Sequence, residues 1–178
     1  ERVKSGPAQM DIRKLTHLNA QYIAELPIDR FCAEARKVVG RMDWGMACHE
    51  ELFVKVCKLM QSRAHTLLAA EEWRYFFVED IFYDEKAVKK NLAKEGVKQL
   101  LGTIKERLAA SDFSPAAVEQ IIRGVETENA VGEGKLNQPV RVAVTGTSIG
   151  AGIYETMALL GKDRSLARMD RAIKDFCI

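Results

Sequence analysis

Apolar residues recur along most of this chain at the three- and four-residue spacing of helices that bury one face. Ile12, Leu15, Leu18, Tyr22, Ile23 and Leu26 make the first stripe, and Asp11 is placed to cap its start. Leu26-Pro27 closes that helix and opens a second, with Phe31, Cys32, Ala35, Val38 and Val39 facing inward and Gly40 as its stop. Residues 41–48, with Trp44 and Gly45, read as a loop. A third helix from about Glu50 to Met60 buries Leu52, Phe53, Val56, Leu59 and Met60; Gln61-Ser62-Arg63 then breaks the pattern. A further helix begins near Thr66, its apolar face made of Leu67, Ala70, Trp73, Phe76 and Phe77, which serve either as core or as a surface on which bases stack.

The pattern lapses between Val78 and Asp84 and then resumes with Val97, Leu100, Leu101, Ile104 and Leu108. Ser114-Pro115 is an N-cap followed by proline at the first helical position, ahead of the stripe Val118, Ile121, Ile122, Val125. Gly132 and Gly134 open a loop that leads to Pro139. The last helix is expected to be capped by Asp163, with Leu166, Met169, Ile173 and Phe176 inward and Arg164, Arg168, Arg171 and Lys174 mostly outward.

Residues 139–161, PVRVAVTGTSIGAGIYETMALLG, admit two readings. Val140, Val142 and Val144 alternate with other residues and a glycine-rich turn follows, as where a strand enters a phosphate-binding loop. The spacing of Gly146, Gly150 and Gly152 is G-x-x-x-G-x-G, however, and no Lys-Ser or Lys-Thr follows. In the other reading Pro139 sits in the first turn of a helix, Gly146 stops it and Gly161 stops the next. The helical reading fits the rest of the chain, and the expected fold is all-α: two small helical bundles in series, residues 1–83 and 84–178, with residues 1–9 as a linker.

Charge supports that boundary. Residues 71–85 carry six acids against one base and residues 86–107 seven bases against two acids, within a net charge of only +2. The basic run is a phosphate-facing surface or a solvated helix face. Cys32, Cys48, Cys57 and Cys177 form no C-x-x-C pair and, with His17, His49 and His65, no zinc spacing, so no metal site is expected. Ser62, His65 and Asp80 lack the context of a catalytic triad, and no catalytic residues are expected. No apolar run approaches a membrane span and no signal-peptide stretch is read at the start, which suits a cytoplasmic protein or part of one.

Two strings carry a family resemblance. Lys135-Leu136, Pro139-Val140-Arg141, Thr145-Gly146, Gly150-Ala151-Gly152-Ile153 and Ala158-Leu159-Leu160-Gly161-Lys162 resemble the C-terminal signature of bacterial-type glutamyl-tRNA synthetase. Gln9-Met10-Asp11 and Lys14-Leu15-Thr16-His17-Leu18-Asn19, with Tyr22-Ile23, are similar to that family's segment just after its catalytic and stem-contact parts. The resemblance covers essentially the whole chain and implies the anticodon-binding helical cage, with the tRNA anticodon loop as partner. The motifs of the class I catalytic domain have no counterpart, so the chain is expected to bind and not to catalyse and to need no cofactor. ATP and Mg would serve a catalytic domain elsewhere in a full-length, monomeric enzyme.

The resemblance also implies a set of tRNA contacts. Arg141 and the turn from Thr145 to Ile153 lie against the anticodon loop, with Gly150, Ala151 and Ile153 touching bases largely through backbone and apolar surface. Arg63, by its distance from Tyr75-Phe76-Phe77, matches the arginine that inspects the third anticodon base, C in glutamate tRNA and G in one glutamine tRNA. Two positions depart from the family: Ala151 and Ser62 stand where proline is frequent. Two rival functions remain, an enzyme that binds a nucleotide phosphate on the 146–152 loop and a helical scaffold for another protein.

Overall fold

The computed structural model describes residues 11–178, so the linker expected over residues 1–9 and the Gln9-Met10 match lie outside the described residues. Those described are helical, with no strand among them: α1 Ile12–Glu25, α2 Ile28–Val39, α3 Glu50–Met60, α4 Glu85–Asn91, α5 Val97–Ala109, α6 Pro115–Glu128, α7 Asn137–Thr145, α8 Ile153–Leu160 and α9 Lys162–Phe176. Short 3-10 turns cover Gly45–Ala47 and Gln61–Arg63. No helix is long and apolar enough to cross a membrane.

Two caps, Asp11 and Ser114, fall where the sequence places them. The Asp11 carboxylate accepts from the Arg13 and Lys14 amides, and the Ser114 hydroxyl accepts from Ala117 N with Pro115 in the first turn. Each satisfies amide groups that a helix start leaves without intrahelical partners. Asp84 caps α4 in the same way, accepting from Ala87 N at 2.7 Å.

Four expectations are corrected. Residues 67–76 form a 3-10 helix, not an α-helix, and Tyr75 is buried beside Trp73, Phe76 and Phe77. The α1 stripe is mostly outside the core: Ile12 is 72% exposed, Leu15, Leu18 and Tyr22 are also exposed, and only Ile23 is buried. Among the described residues α1 packs chiefly on the Gln61–Arg63 turn, which is too small to cover a four-turn face. Asp163 lies within the first turn of α9, whose N-cap is Gly161. Arg168, expected outward, is buried, donating to the Tyr75, Val78 and Val144 carbonyl oxygens at 2.9, 2.5 and 2.9 Å.

The first half of the core is aromatic: Phe31 of α2 and Phe53 of α3 meet Trp73 at ring distances of 6.1 and 6.3 Å, and Trp44 stacks on Phe77 at 5.7 Å. The second half is aliphatic, with Leu101, Ile104, Ile122, Val140, Met157 and Met169 fully buried. Its centre is α7, whose residues 139–145 are all buried. That burial includes Arg141 and Thr145, and the alternating valines of α7 imitate a strand in the sequence. The helical reading is the one found. The core is continuous across both halves. A buried carboxylate, Glu126, fixes the loop before α7 by accepting from Gly134 N and Leu136 N at 3.0 and 2.8 Å.

Candidate nucleic-acid interface

Two glycines set the shape of the turn between α7 and α8. Gly146 ends α7 with φ +76°, and a side chain there would overlap the Phe82 carbonyl oxygen and sit 3.0 Å from its carbon. The two segments are joined where they touch, Asp84 N donating to Gly146 O at 2.9 Å. Gly150 lies over two buried polar groups: a Cβ there would stand 3.0 Å from an Arg141 terminal nitrogen and 3.3 Å from the Tyr75 hydroxyl. The absence of a side chain at both positions brings the turn into contact with residues 75–84.

Between this turn, the 3-10 stretch and the Gln61–Arg63 turn lies a groove of about 470 Å³. Arg63, Tyr75, Phe82, Thr145, Ile149 and Gly150 are among its walls. Three of the seven expected contact residues thus meet in one groove, although Arg63 is more than eighty residues from Thr145 in sequence. Arg63 is exposed, and its turn is held to α1 by the Gln61 amide, which donates to the Ile23 and Leu26 carbonyl oxygens at 2.9 and 2.7 Å. Thr145 is buried, its hydroxyl donating to Arg141 O at 2.8 Å while Thr147 N donates to it, so it shapes the turn.

The other four are placed differently. Ser62 is exposed beside Arg63 but does not line the groove. Ala151 and Ile153 are buried, which leaves the backbone of the turn, not their side chains, as the surface on offer. Arg141 is only 8% exposed and lies behind Gly150; one terminal nitrogen has no hydrogen-bond partner among the described residues. Burial draws the Arg141 pKa below the usual guanidinium value, and the Arg63 cation adds to this while Tyr75 opposes it. The Tyr75 hydroxyl is likewise buried without a partner, and burial pushes its pKa up to about 12. A buried donor left unsatisfied costs on the order of 1–3 kcal/mol. The pair behind Gly150 is therefore a place where an added acceptor would be stabilised.

The sequence singles out neither Tyr75 nor Phe82 as lining the groove, and it reaches Ile149 only as part of the turn from Thr145 to Ile153. Tyr75 looks like one more core aromatic, and Phe82 and Ile149 lie where no periodicity assigns a face. The basic run expected near residue 86 is on the surface: Lys86, Lys89, Lys90, Lys94 and Lys98 are exposed, while Lys105 and Arg107 pair with Asp170 and Glu128. The four cysteines are free, and burial raises the Cys48 thiol to about 11.

A family model described as an anticodon binding domain matches residues 30–173. A glutamate–tRNA ligase of Desulforudis audaxviator is 34% identical over 179 residues, covering 96% of this chain and 36% of the relative. One of Thermus thermophilus is 35% identical over 175 residues, covering 97% and 37%. The solved structure of a glutamate tRNA ligase from Elizabethkingia meningosepticum aligns with a TM-score of 0.77 at 23% identity, over 98% of this chain and 34% of that one, and so shares the fold. The chain spans little more than a third of the length of the curated relatives it matches.

Proposed function

Since the chain belongs to the anticodon-binding domain family, we propose that it is the tRNA-reading part of a glutamate–tRNA ligase, holding the anticodon loop while a catalytic domain of the same polypeptide joins glutamate to the tRNA with ATP and Mg. The observation that carries the reading is the groove into which Arg63, Thr145 and Gly150 converge from distant segments. Unpaired bases are read by stacking and by hydrogen bonds to their edges, and an exposed arginine beside a close-packed backbone turn provides both kinds of contact. The division into two subdomains near Asp84, with a monomeric enzyme working in the cytoplasm, belongs to the same proposal. A panel of tRNA transcripts differing only in the anticodon tests it: preference for a glutamate anticodon supports it, and equal binding to all of them refutes it.

Arg63 is the residue assigned to base discrimination. A base-specific arginine contact is worth about 1–3 kcal/mol. Arg63→Gln is therefore expected to lower the ratio of affinities for two transcripts differing only in the third anticodon base, C against G, by roughly 5- to 150-fold at most. An unchanged ratio removes Arg63 from this role and leaves the rest standing.

Phosphate contacts predict a salt dependence. A few lysine or arginine contacts imply a slope of log affinity against log salt of roughly −2 to −5. Changing Lys89 and Lys90 together to glutamine makes the slope shallower by about 1 to 2 if the exposed basic run faces RNA. A flat salt response in the unmodified chain contradicts RNA binding.

A further inference from the structure

Phe82 is 79% exposed, whereas its neighbours Ile81 and Tyr83 are buried. The three lie outside any helix, their burial alternates, and the backbone on the C-terminal side of Phe82 is held. Tyr83 donates its hydroxyl proton to Ala143 O at 2.9 Å, Asp84 N donates to Gly146 O at 2.9 Å, and the Phe82 carbonyl packs on Gly146 so closely that no Cβ fits. The fold thus fixes the backbone that carries an aromatic ring in solvent at the edge of the groove, although leaving the ring there gives up the free energy of burying it. Ile149, 74% exposed, stands on the turn that forms the facing wall of the same groove.

We propose that Phe82 is the stacking platform for one unpaired base of the anticodon loop, an inference that rests on the functional reading above. The charges of the groove select a base over a phosphate. Its acids, Glu71, Glu72 and Asp84, oppose an anion, and Arg74 is already held by both oxygens of Asp43 at 3.0 and 2.9 Å. A nucleobase is neutral and flat, with donors and acceptors on its edge. Here its face meets the Phe82 ring and the Ile149 side chain, and its edge meets Arg63. The Tyr75 hydroxyl lies buried and without a partner beneath Gly150. A second, open groove that shares Phe82 contains Lys89, which has no ion-pair partner among the described residues, and Arg171 against the single acid Glu85, a balance that suits the phosphate attached to the stacked base. Stacking on an aromatic side chain also explains why the groove lacks the cation cluster that backbone binding requires.

The test compares Phe82→Ala, Phe82→Leu and Phe82→Trp with the unmodified chain, measuring affinity for an unmodified glutamate tRNA transcript at fixed salt and thermal unfolding of each protein. Removal of the ring in Phe82→Ala and Phe82→Leu is expected to weaken binding by about thirtyfold, the middle of the range for one base–aromatic stack. Phe82→Trp retains binding, and the introduced indole loses fluorescence when RNA is added. Thermal unfolding of all three stays close to that of the unmodified chain because the ring is outside the core. Affinity unchanged in Phe82→Ala, or restored in Phe82→Leu, overturns the proposal and assigns the ring to another partner, while tRNA binding by the unmodified chain keeps the functional reading. If the unmodified chain binds no tRNA, both readings fall.

Discussion

Gly146→Ala is expected to destabilise the chain by about 2–5 kcal/mol, a large share of a typical domain's stability. Two costs combine. A non-glycine residue in the left-handed region costs roughly 1–2 kcal/mol, and forcing a Cβ into occupied space costs about 1–3 kcal/mol more. At Gly146 φ is +76° and the added atom would collide with the Phe82 carbonyl, so the Asp84–Gly146 hydrogen bond must stretch to relieve it. Gly96 separates the two terms: its φ is +81°, but nothing lies within 4 Å of an added Cβ. Gly96→Ala should therefore show only the backbone term, about 1–2 kcal/mol. Denaturant titration of both variants checks this, and equal losses would mean that contact with Phe82 contributes nothing. Because Phe82 and Gly146 are two walls of one groove, the Gly146 variant should also bind tRNA more weakly than its loss of stability explains.

Arg168→Met is the second large effect. The methionine fills much of the same volume but donates nothing, leaving the Tyr75, Val78 and Val144 carbonyl oxygens without the guanidinium that now serves all three. Each buried acceptor left unpaired costs about 1–3 kcal/mol, which exceeds the relief from no longer burying a cation; the net loss is expected to be about 3 kcal/mol. The relief is real, since burial pulls the Arg168 pKa down to about 10, yet the side chain remains charged at neutral pH. Arg168→Lys should recover only part of the loss, because one ammonium cannot span three carbonyls set by a planar fork. Chemical denaturation of the two variants measures both values. If Arg168→Met is as stable as the unmodified chain, the arginine is packed there without holding α9 to the aromatic segment. Arg164 makes a weaker, more exposed version of the same junction, donating to Phe76 O at 2.8 Å and pairing with Glu79.

These residues also show how far the sequence could be read. Helix order, most helix ends and the inner faces of α2, α3, α5 and α6 follow from periodicity and caps, because each helix has one apolar side and its caps are local. At α7 periodicity favoured the helix that is found but left a strand as the alternative, because alternating valines imitate one; it failed at residues 67–76, where a 3-10 stretch keeps an apolar spacing close to that of an α-helix. It placed Arg168 outward because an arginine on a helix is ordinarily solvated; the three carbonyls that draw it inside come from two other segments. It placed Ile12, Leu15, Leu18 and Tyr22 inward although the described residues provide no surface to cover them.

For the site the division is similar. The family resemblance singled out Arg63, Arg141, Thr145 and Gly150 from local strings, and a turn rich in glycine announced a close backbone approach without saying to what. The amino-acid sequence by itself determined most of the helices, the caps Asp11 and Ser114, and the helix-ending glycines Gly146 and Gly161, since these depend on interactions within a few residues of chain. Only the tertiary structure decided that Gly146 closes against Phe82, that Arg141 lies buried behind Gly150 beside Tyr75, and that Phe82 is left in solvent at the groove's edge. Those outcomes depend on which segments meet in space, and contacts between residues sixty or more positions apart leave no period or spacing in the chain.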